Sequence, residues 1–168
     1  MEGKKVNESS LIISHSLTPQ DANVAGNVHG GVLMRHIDTA AGIVAVRHAR
    51  SNAVTASIDR LDFHNPAFIG NLLTLKASLN YVGKTSMEIG VRAETEDILT
   101  GQRLHIASAY LTYVALDENG RPREVPPLIL ESQEEIRRNR EARARRETRL
   151  VERSKEKECQ RDLDSCQL

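Results

Sequence analysis

Polar residues that break an apolar pattern, and loops rich in glycine and asparagine, are the first places to look for chemistry. Asp38 interrupts a helical run whose other repeating positions, Leu33, Ile37, Ala40, Ala41 and Val44, are apolar. A carboxylate there must be hydrogen-bonded, ion-paired or functional, because burying it unpaired is costly. Arg35 and Arg60 are its candidate structural partners. Just upstream, residues 21–31 (DANVAGNVHGG) place polar side chains and flexible backbone before a helix N-terminus, where unpaired N–H groups and the helix dipole favour negative charge. Asn23, inside that stretch, reads first as a turn residue. Gly83-Lys84-Thr85 matches the end of a phosphate-binding loop. That motif needs a glycine five residues earlier, where Ser78 stands, and a helix afterwards, where a strand pattern follows. What remains is a hairpin turn that offers backbone N–H groups, the Lys84 ammonium and two hydroxyls to an anion, or a plain turn. The six histidines (15, 29, 36, 48, 64 and 105) form neither a close helical pair nor a mixed cluster with cysteine, so the sequence predicts no metal site.

The elements that must position these residues follow from periodicity. The run from Gly31 to about Arg50 has helical spacing, with Val32, Ile43 and Val46 extending its apolar surface around the cylinder. Small residues (Ala40, Ala41, Gly42, Ala45) let a neighbouring backbone approach closely, which suits a helix wrapped by a sheet. Residues 9–17 read as a strand. After the helix everything alternates: Leu73, Leu75, Ala77, Leu79 and Tyr81 share one face, and Met87, Ile89, Val91 and Ala93 another. With runs near 53–64 and 103–116 this makes four long strands, joined by turns at Gly83-Lys84 and Thr100-Gly101 and ended by Asn119-Gly120. Connections this short force antiparallel pairing. The fold class is therefore α+β: a long central helix wrapped by a curved antiparallel sheet, plus a charged C-terminal helix.

At 168 residues the chain is one ordinary domain in length, and 23 basic against 23 acidic residues leave no net field for a polyanion. Only five aromatics are present, too few for a stacking platform on single-stranded nucleic acid. No apolar run approaches the roughly 20 residues of a membrane span, and Met1 to Leu11 lacks a signal-peptide core, so a cytoplasmic protein is expected. Cys159 and Cys166 both lie in the last ten residues and are read as reduced. Charge marks a boundary: residues 8–130 form the domain, while the extension 131–168 holds 11 basic and 10 acidic residues. Seven arginines stand between Arg137 and Arg149, after a capping-box spacing of Ser132 and Glu135. With few apolar residues past Ile136, this predicts a solvated helix, partly disordered toward Leu168 and dispensable for folding.

Five blocks in register carry a resemblance to a known family: NVAGNVHGG, HIDTAAGIVAVRH, ASIDRLDFHNPAFIG, YVGKTSMEI and YVALDENGRPREVPPL. Over about residues 9–135 the chain resembles the hotdog-fold acyl-CoA thioesterases, in the branch that contains brain acyl-CoA hydrolase. The resemblance implies the hotdog fold and hydrolysis of fatty acyl-CoA to fatty acid and CoA, with no metal or redox cofactor. It implies that Asp38 acts as general base for water, or as nucleophile, and that Asn23 orients the water or the carbonyl. N–H groups near Gly30 and Gly31 would hold the developing oxyanion. Val82, Gly83, Lys84, Thr85 and Ser86 would bind CoA. Two-domain relatives carry the functional Asn and Asp in different domains, so a homodimer of this chain, assembled as a trimer of dimers, would hold sites at its interface. No partner of nucleic acid or membrane type is expected.

Two rivals remain at this level. A hotdog hydroxyacyl dehydratase would want a histidine beside a carboxylate, which His29 or His36 could supply. A non-catalytic acyl-CoA sensor would use the Arg-rich tail on DNA, although interleaved glutamates weaken it. Preferred chain length depends on how residues such as Leu61, Phe63 and Phe68 close the acyl tunnel.

Overall fold

The computed structural model describes residues 1–161, and side-chain surroundings through residue 156. Its elements run β1 (Lys4–Lys5), β2 (Leu11–Ser16), α1 (Gly30–Ala49), β3 (Ala53–Phe63), β4 (Leu72–Val82), β5 (Ser86–Glu96), β6 (Arg103–Ala115), β7 (Leu128–Ile129) and α2 (Gln133–Arg161), with short 3-10 turns at Val6–Glu8 and Pro19–Asp21. The helix and the four long strands lie where periodicity put them.

Strands β2, β4, β5, β6 and β3 form one antiparallel sheet in that order. Its inner face is built from the alternating residues, with Leu75 opposite Ala93, Ala77 opposite Val91 and Leu79 opposite Ile89 across β4 and β5. Ile89 lies opposite Leu111, and Val91 opposite Ala109, across β5 and β6. Against this face α1 lays Leu33, Ile37, Ala40, Ala41, Val44 and Ala45, all buried. Alanines at the contact bring helix and sheet backbones close, and the aliphatic side chains between them supply the apolar burial that drives docking.

The expected wrapping of the helix is not what forms. The sheet is open, with β2 and β3 as free edges, and α1 lies on one face without being enclosed. Closure would require the edge strands β2 and β3 to pair with consistent tilt and stagger, and they do not pair. One side of α1 therefore stays uncovered, carrying the exposed Met34 and Val46 with the half-buried Asp38, Gly42 and Ile43. A second, two-stranded parallel sheet pairs β1 with β7. Its strands of two residues are too short to show alternation in sequence.

The other face of the sheet is covered by α2. Its N-terminus has the predicted capping box: Glu135 N–H donates to Ser132 Oγ at 3.1 Å, and Ser132 N–H donates to Glu135 Oε2 at 3.1 Å. The predicted solvation is overturned, because α2 docks through a stripe of mainly charged side chains. Arg138 donates to Ser78 Oγ at 3.3 Å, Ala142 is fully buried, and Arg145 forms a 2.6 Å ion pair with the buried Glu88. Arg149 pairs with Asp59, whose Oδ2 also accepts from Thr112 Oγ1 at 2.9 Å. Helical spacing puts 138, 142, 145 and 149 on one face, so the helix has a docking stripe that an apolar count misses. The expected fraying beyond residue 161 and the state of Cys166 lie outside the described residues, as does the side chain of Cys159.

Tyr81 is a second correction. Alternation assigns it to the inner face with Leu79, but a β-bulge between Leu79 and Tyr81 shifts the register, so Tyr81 pairs with Glu88 and faces α2. One extra residue in a strand reverses the facing of everything beyond it.

Candidate active site

Asp38 stands in the third turn of α1, on the side that the sheet leaves open. Its Oδ1 accepts from Thr55 Oγ1 at 2.7 Å and from the Tyr113 hydroxyl at 2.6 Å. The same hydroxyl lies 2.8 Å from the main-chain oxygen of Asp38. Thr55 and Tyr113 are directly opposite on β3 and β6, which is why both reach one carboxylate. Gly42, one turn on, makes room for the ring: a Cβ there would come within 3.4 Å of the Tyr113 oxygen. Burial, reinforced by the hydrogen bond to Asp38, pushes the Tyr113 hydroxyl well above the ordinary tyrosine range, so it remains a proton donor. Among the described residues no donor engages Asp38 Oδ2. Neither suggested arginine is its partner: Arg60 pairs with Asp62 at 2.5 Å, and Arg35 forms no ion pair among the described residues.

Asn23 is a turn residue in this chain. Its Oδ1 accepts from the N–H groups of Ala25 at 2.8 Å and Asn27 at 3.2 Å, while its own N–H donates to Asn27 O at 2.7 Å. The side-chain NH₂ has no partner among the described residues. Asp21 fixes the start of the loop by accepting from Thr18 N–H and Oγ1, both at 2.8 Å. At the head of α1, His29 Nδ1 accepts from Gly31 N–H at 2.9 Å. The Gly31 N–H is thus occupied by the helix cap, whereas among the described residues that of Gly30 donates to nothing.

Asn23 and Gly30 line one cleft of about 380 Å³, together with Leu33, Phe63 and His64. Asp38 is not on its wall; eight residues along the helix place it about 12 Å from Gly30. Within one chain the structure therefore joins Asn23 to Gly30, and Asp38 to Thr55 and Tyr113, without merging the two groups.

The segment 82–86 is the predicted hairpin, with Gly83 N–H donating to Ser86 O at 2.8 Å. Lys84 is exposed and lies 3.3 Å from Glu124. Val82, Gly83 and Lys84 line a cleft of about 470 Å³ whose far wall includes Asn139 and Arg143 of α2. Thr85 and Ser86 are not on that wall, and Thr85 O accepts from Ala115 N–H at 3.0 Å. Among the described residues no group of three histidine, cysteine or acidic side chains could hold a metal ion. No described helix is long and apolar enough to cross a membrane.

The sequence pattern of the thioesterase superfamily matches residues 25–102. A solved hexameric acyl-CoA thioesterase superimposes with a TM-score of 0.87 at 38% identity, covering 90% of this chain and 97% of that one. This chain belongs to the hotdog-fold acyl-CoA thioesterase superfamily. Its superfamily relatives include the acyl-CoA hydrolase of Staphylococcus aureus, solved with butyryl-CoA, CoA and CoA disulfide, which superimposes with a TM-score of 0.88 at 35% identity over 96% of this chain and 98% of that one. The cytosolic acyl coenzyme A thioester hydrolase of Mus musculus is 39% identical over 140 residues, 82% of this superfamily member. The chain spans 36% of that curated relative's length.

Sequence reasoning missed Thr55 and Tyr113. Tyr113 lies within the strand expected near 103–116, and only the pairing of β3 with β6 beneath α1 reveals that its hydroxyl meets Asp38.

Proposed function

We propose that the chain hydrolyses acyl-CoA thioesters to free acid and CoA, with Asp38 as general base. The observation that carries this reading is the half-tied carboxylate. Oδ1 is fixed by two hydroxyl donors, which leaves Oδ2 to accept a proton from water as that water attacks the thioester carbonyl. The Gly30 N–H, which shares a cleft with Asn23 of its own chain, would stabilise developing oxyanion charge from the same subunit as that Asn23. The CoA thiolate leaves without a strong acid, since a thiol is far more acidic than an alcohol.

Support also comes from the relatives. Solved variants of the Staphylococcus aureus protein replace one asparagine, one aspartate and one threonine by alanine, and these stand fifteen and then seventeen residues apart. Asn23, Asp38 and Thr55 have the same spacing. One of the solved relatives is a hexamer. The uncovered side of α1 carries Asp38, and edge strand β3 exposes Val54, Ile58 and Phe63, so a second copy has an apolar surface to cover. In our reading the Asn23 amide comes from the partner subunit and positions the water or the carbonyl.

The test is thiol release from saturated acyl-CoA by the wild type and by Asp38→Asn, which keeps the shape and removes the charge. A loss of at least about 100-fold in kcat is expected, the lower range for removing a general base. Near-normal turnover in a folded variant would return Asp38 to a structural role.

A further inference from the structure

The seven arginines between Arg137 and Arg149 fall into two groups. Arg137, Arg138, Arg145 and Arg149 each have a carboxylate within ion-pair distance: Glu141, Glu134, Glu88 and Asp59. Among the described residues Arg140, Arg143 and Arg146 have none. Of these three, Arg143 and Arg146 lie over the ring of Tyr81, at 5.6 and 5.8 Å from its centroid. Tyr81 is the residue that the bulge in β4 turns toward α2, and it immediately precedes the hairpin 82–86. The stripe 139, 143, 146 runs beside the docking stripe 138, 142, 145, 149, so docking of α2 aims the unpaired cations at this hairpin.

Arg143 is also held in place. The buried Asn139 donates from Nδ2 to Asn80 O at 2.8 Å, and its Oδ1 accepts from Arg143 Nε at 3.1 Å. Four of the five guanidinium N–H donors remain for a ligand. Arg143 lines the cleft of about 470 Å³ together with Gly83 and Lys84, whereas Arg146, beside it over Tyr81, is not on that wall. Glu124 is the single carboxylate on its wall, and its 3.3 Å contact with Lys84 joins two exposed groups, an arrangement worth little in water. Arg143 on the wall and Arg146 beside it, neither with a counter-ion among the described residues, together with the lysine that shares the cleft, fit a phosphate ester. Arginine binds phosphate through paired donors, so a fixed guanidinium gives orientation as well as charge.

We propose that Arg143 and Lys84 in this cleft, with Arg146 beside it on α2, bind the phosphorylated nucleotide end of CoA. This inference rests on the reading of 82–86 as the CoA-binding turn, and it gives the charged C-terminal helix a part in substrate recognition.

The test compares wild type with Arg143→Met, Arg146→Met and the double variant, each checked for an unchanged melting temperature. Calorimetry with CoA itself, the product, reads binding without turnover. Steady-state rates on an acyl-CoA and on the matching acyl-pantetheine, which lacks the nucleotide, read specificity. The double variant should bind CoA about tenfold more weakly, the loss expected of one charge-assisted contact. It should raise KM for the acyl-CoA by the same factor, with kcat and the acyl-pantetheine rates unchanged, and the difference should shrink with salt. Unchanged CoA affinity, or equal losses on both substrates, overturns the proposal. An inactive wild type whose CoA binding still depends on the two arginines would sink the hydrolase reading and leave this site standing. An active wild type indifferent to them would do the reverse, and a wild type that binds no CoA overturns both.

Discussion

A single hydroxyl at Tyr113 ties the sheet to the carboxylate on α1, and its energetics differ from those of an ordinary buried tyrosine. Replacing Tyr113 by Phe keeps the ring that fills the space beside Gly42 and deletes only the donor to Asp38. The freed Oδ1 keeps Thr55, so the carboxylate stays on its helix but loses one of two fixed orientations. We expect kcat to fall about tenfold with KM nearly unchanged, the split that follows when a group acts through the base and touches no substrate. The ring's environment can be checked separately. Because burial and the Asp38 hydrogen bond raise the hydroxyl's pKa, the wild-type minus Tyr113→Phe difference in tyrosinate absorbance should show no step near the ordinary value of about 10. A step there would mean that the ring is solvated and the hydrogen bond absent. At this scale the sequence singled out Asp38, which breaks an apolar pattern, left Asn23 as a turn residue that only the family resemblance raised further, and gave no sign of Thr55 and Tyr113. Alternation places a side chain on a face; it does not say that a hydroxyl at its tip meets a carboxylate 75 positions away.

Among the elements, α1 and the long strands were legible because apolar burial writes a period into the chain, whereas α2 docks by charge and writes none. Glu88 is 2% exposed and is satisfied by Arg145, with Asn80 Nδ2 donating to the same carboxylate at 3.2 Å. Arg145 also stacks 3.8 Å from the Tyr110 ring centroid, so its loss removes packing along with charge. Arg145→Ala should destabilise the fold by about 3 kcal/mol, the scale for stranding a buried charge. Urea unfolding monitored by circular dichroism measures it. Glu88→Met combined with Arg145→Leu should recover most of that loss, since an apolar pair of similar volume has no charge to strand. A single variant costing less than about 1 kcal/mol would make the helix the loosely attached tail that composition suggested. The bulge that turns Tyr81 was equally invisible, because an irregularity of one residue leaves the alternating pattern readable on both sides of it.

At the scale of the whole molecule, an open sheet with two free edges and a helix with one bare side is an incomplete object, and the bare side is where Asp38 sits. The sequence reading reached the helix-on-sheet layers but supposed that a curved sheet wraps the helix. Periodicity tells which face of a strand is buried and carries nothing about closure, which depends on strand number and stagger. Failure to close is what makes a shared site attractive: Asn23 and Gly30 line one cleft, while Asp38, about 12 Å along the helix, opens away from the sheet. If a two-fold partner covers α1, the Asn23 of one subunit faces the Asp38 of the other, and each dimer holds two mixed sites. Inactive Asn23→Ala and Asp38→Ala proteins, unfolded together in equal amounts and refolded, would then give heterodimers as about half of all dimers. One site in each heterodimer carries both substitutions and the other carries neither, so activity should return to about a quarter of the wild-type rate under random pairing. Thiol release on the mixture measures this, with native mass spectrometry confirming that heterodimers form. A mixture as inactive as its parents, despite proven heterodimers, would show that both residues act from one chain or that one of them does no chemistry.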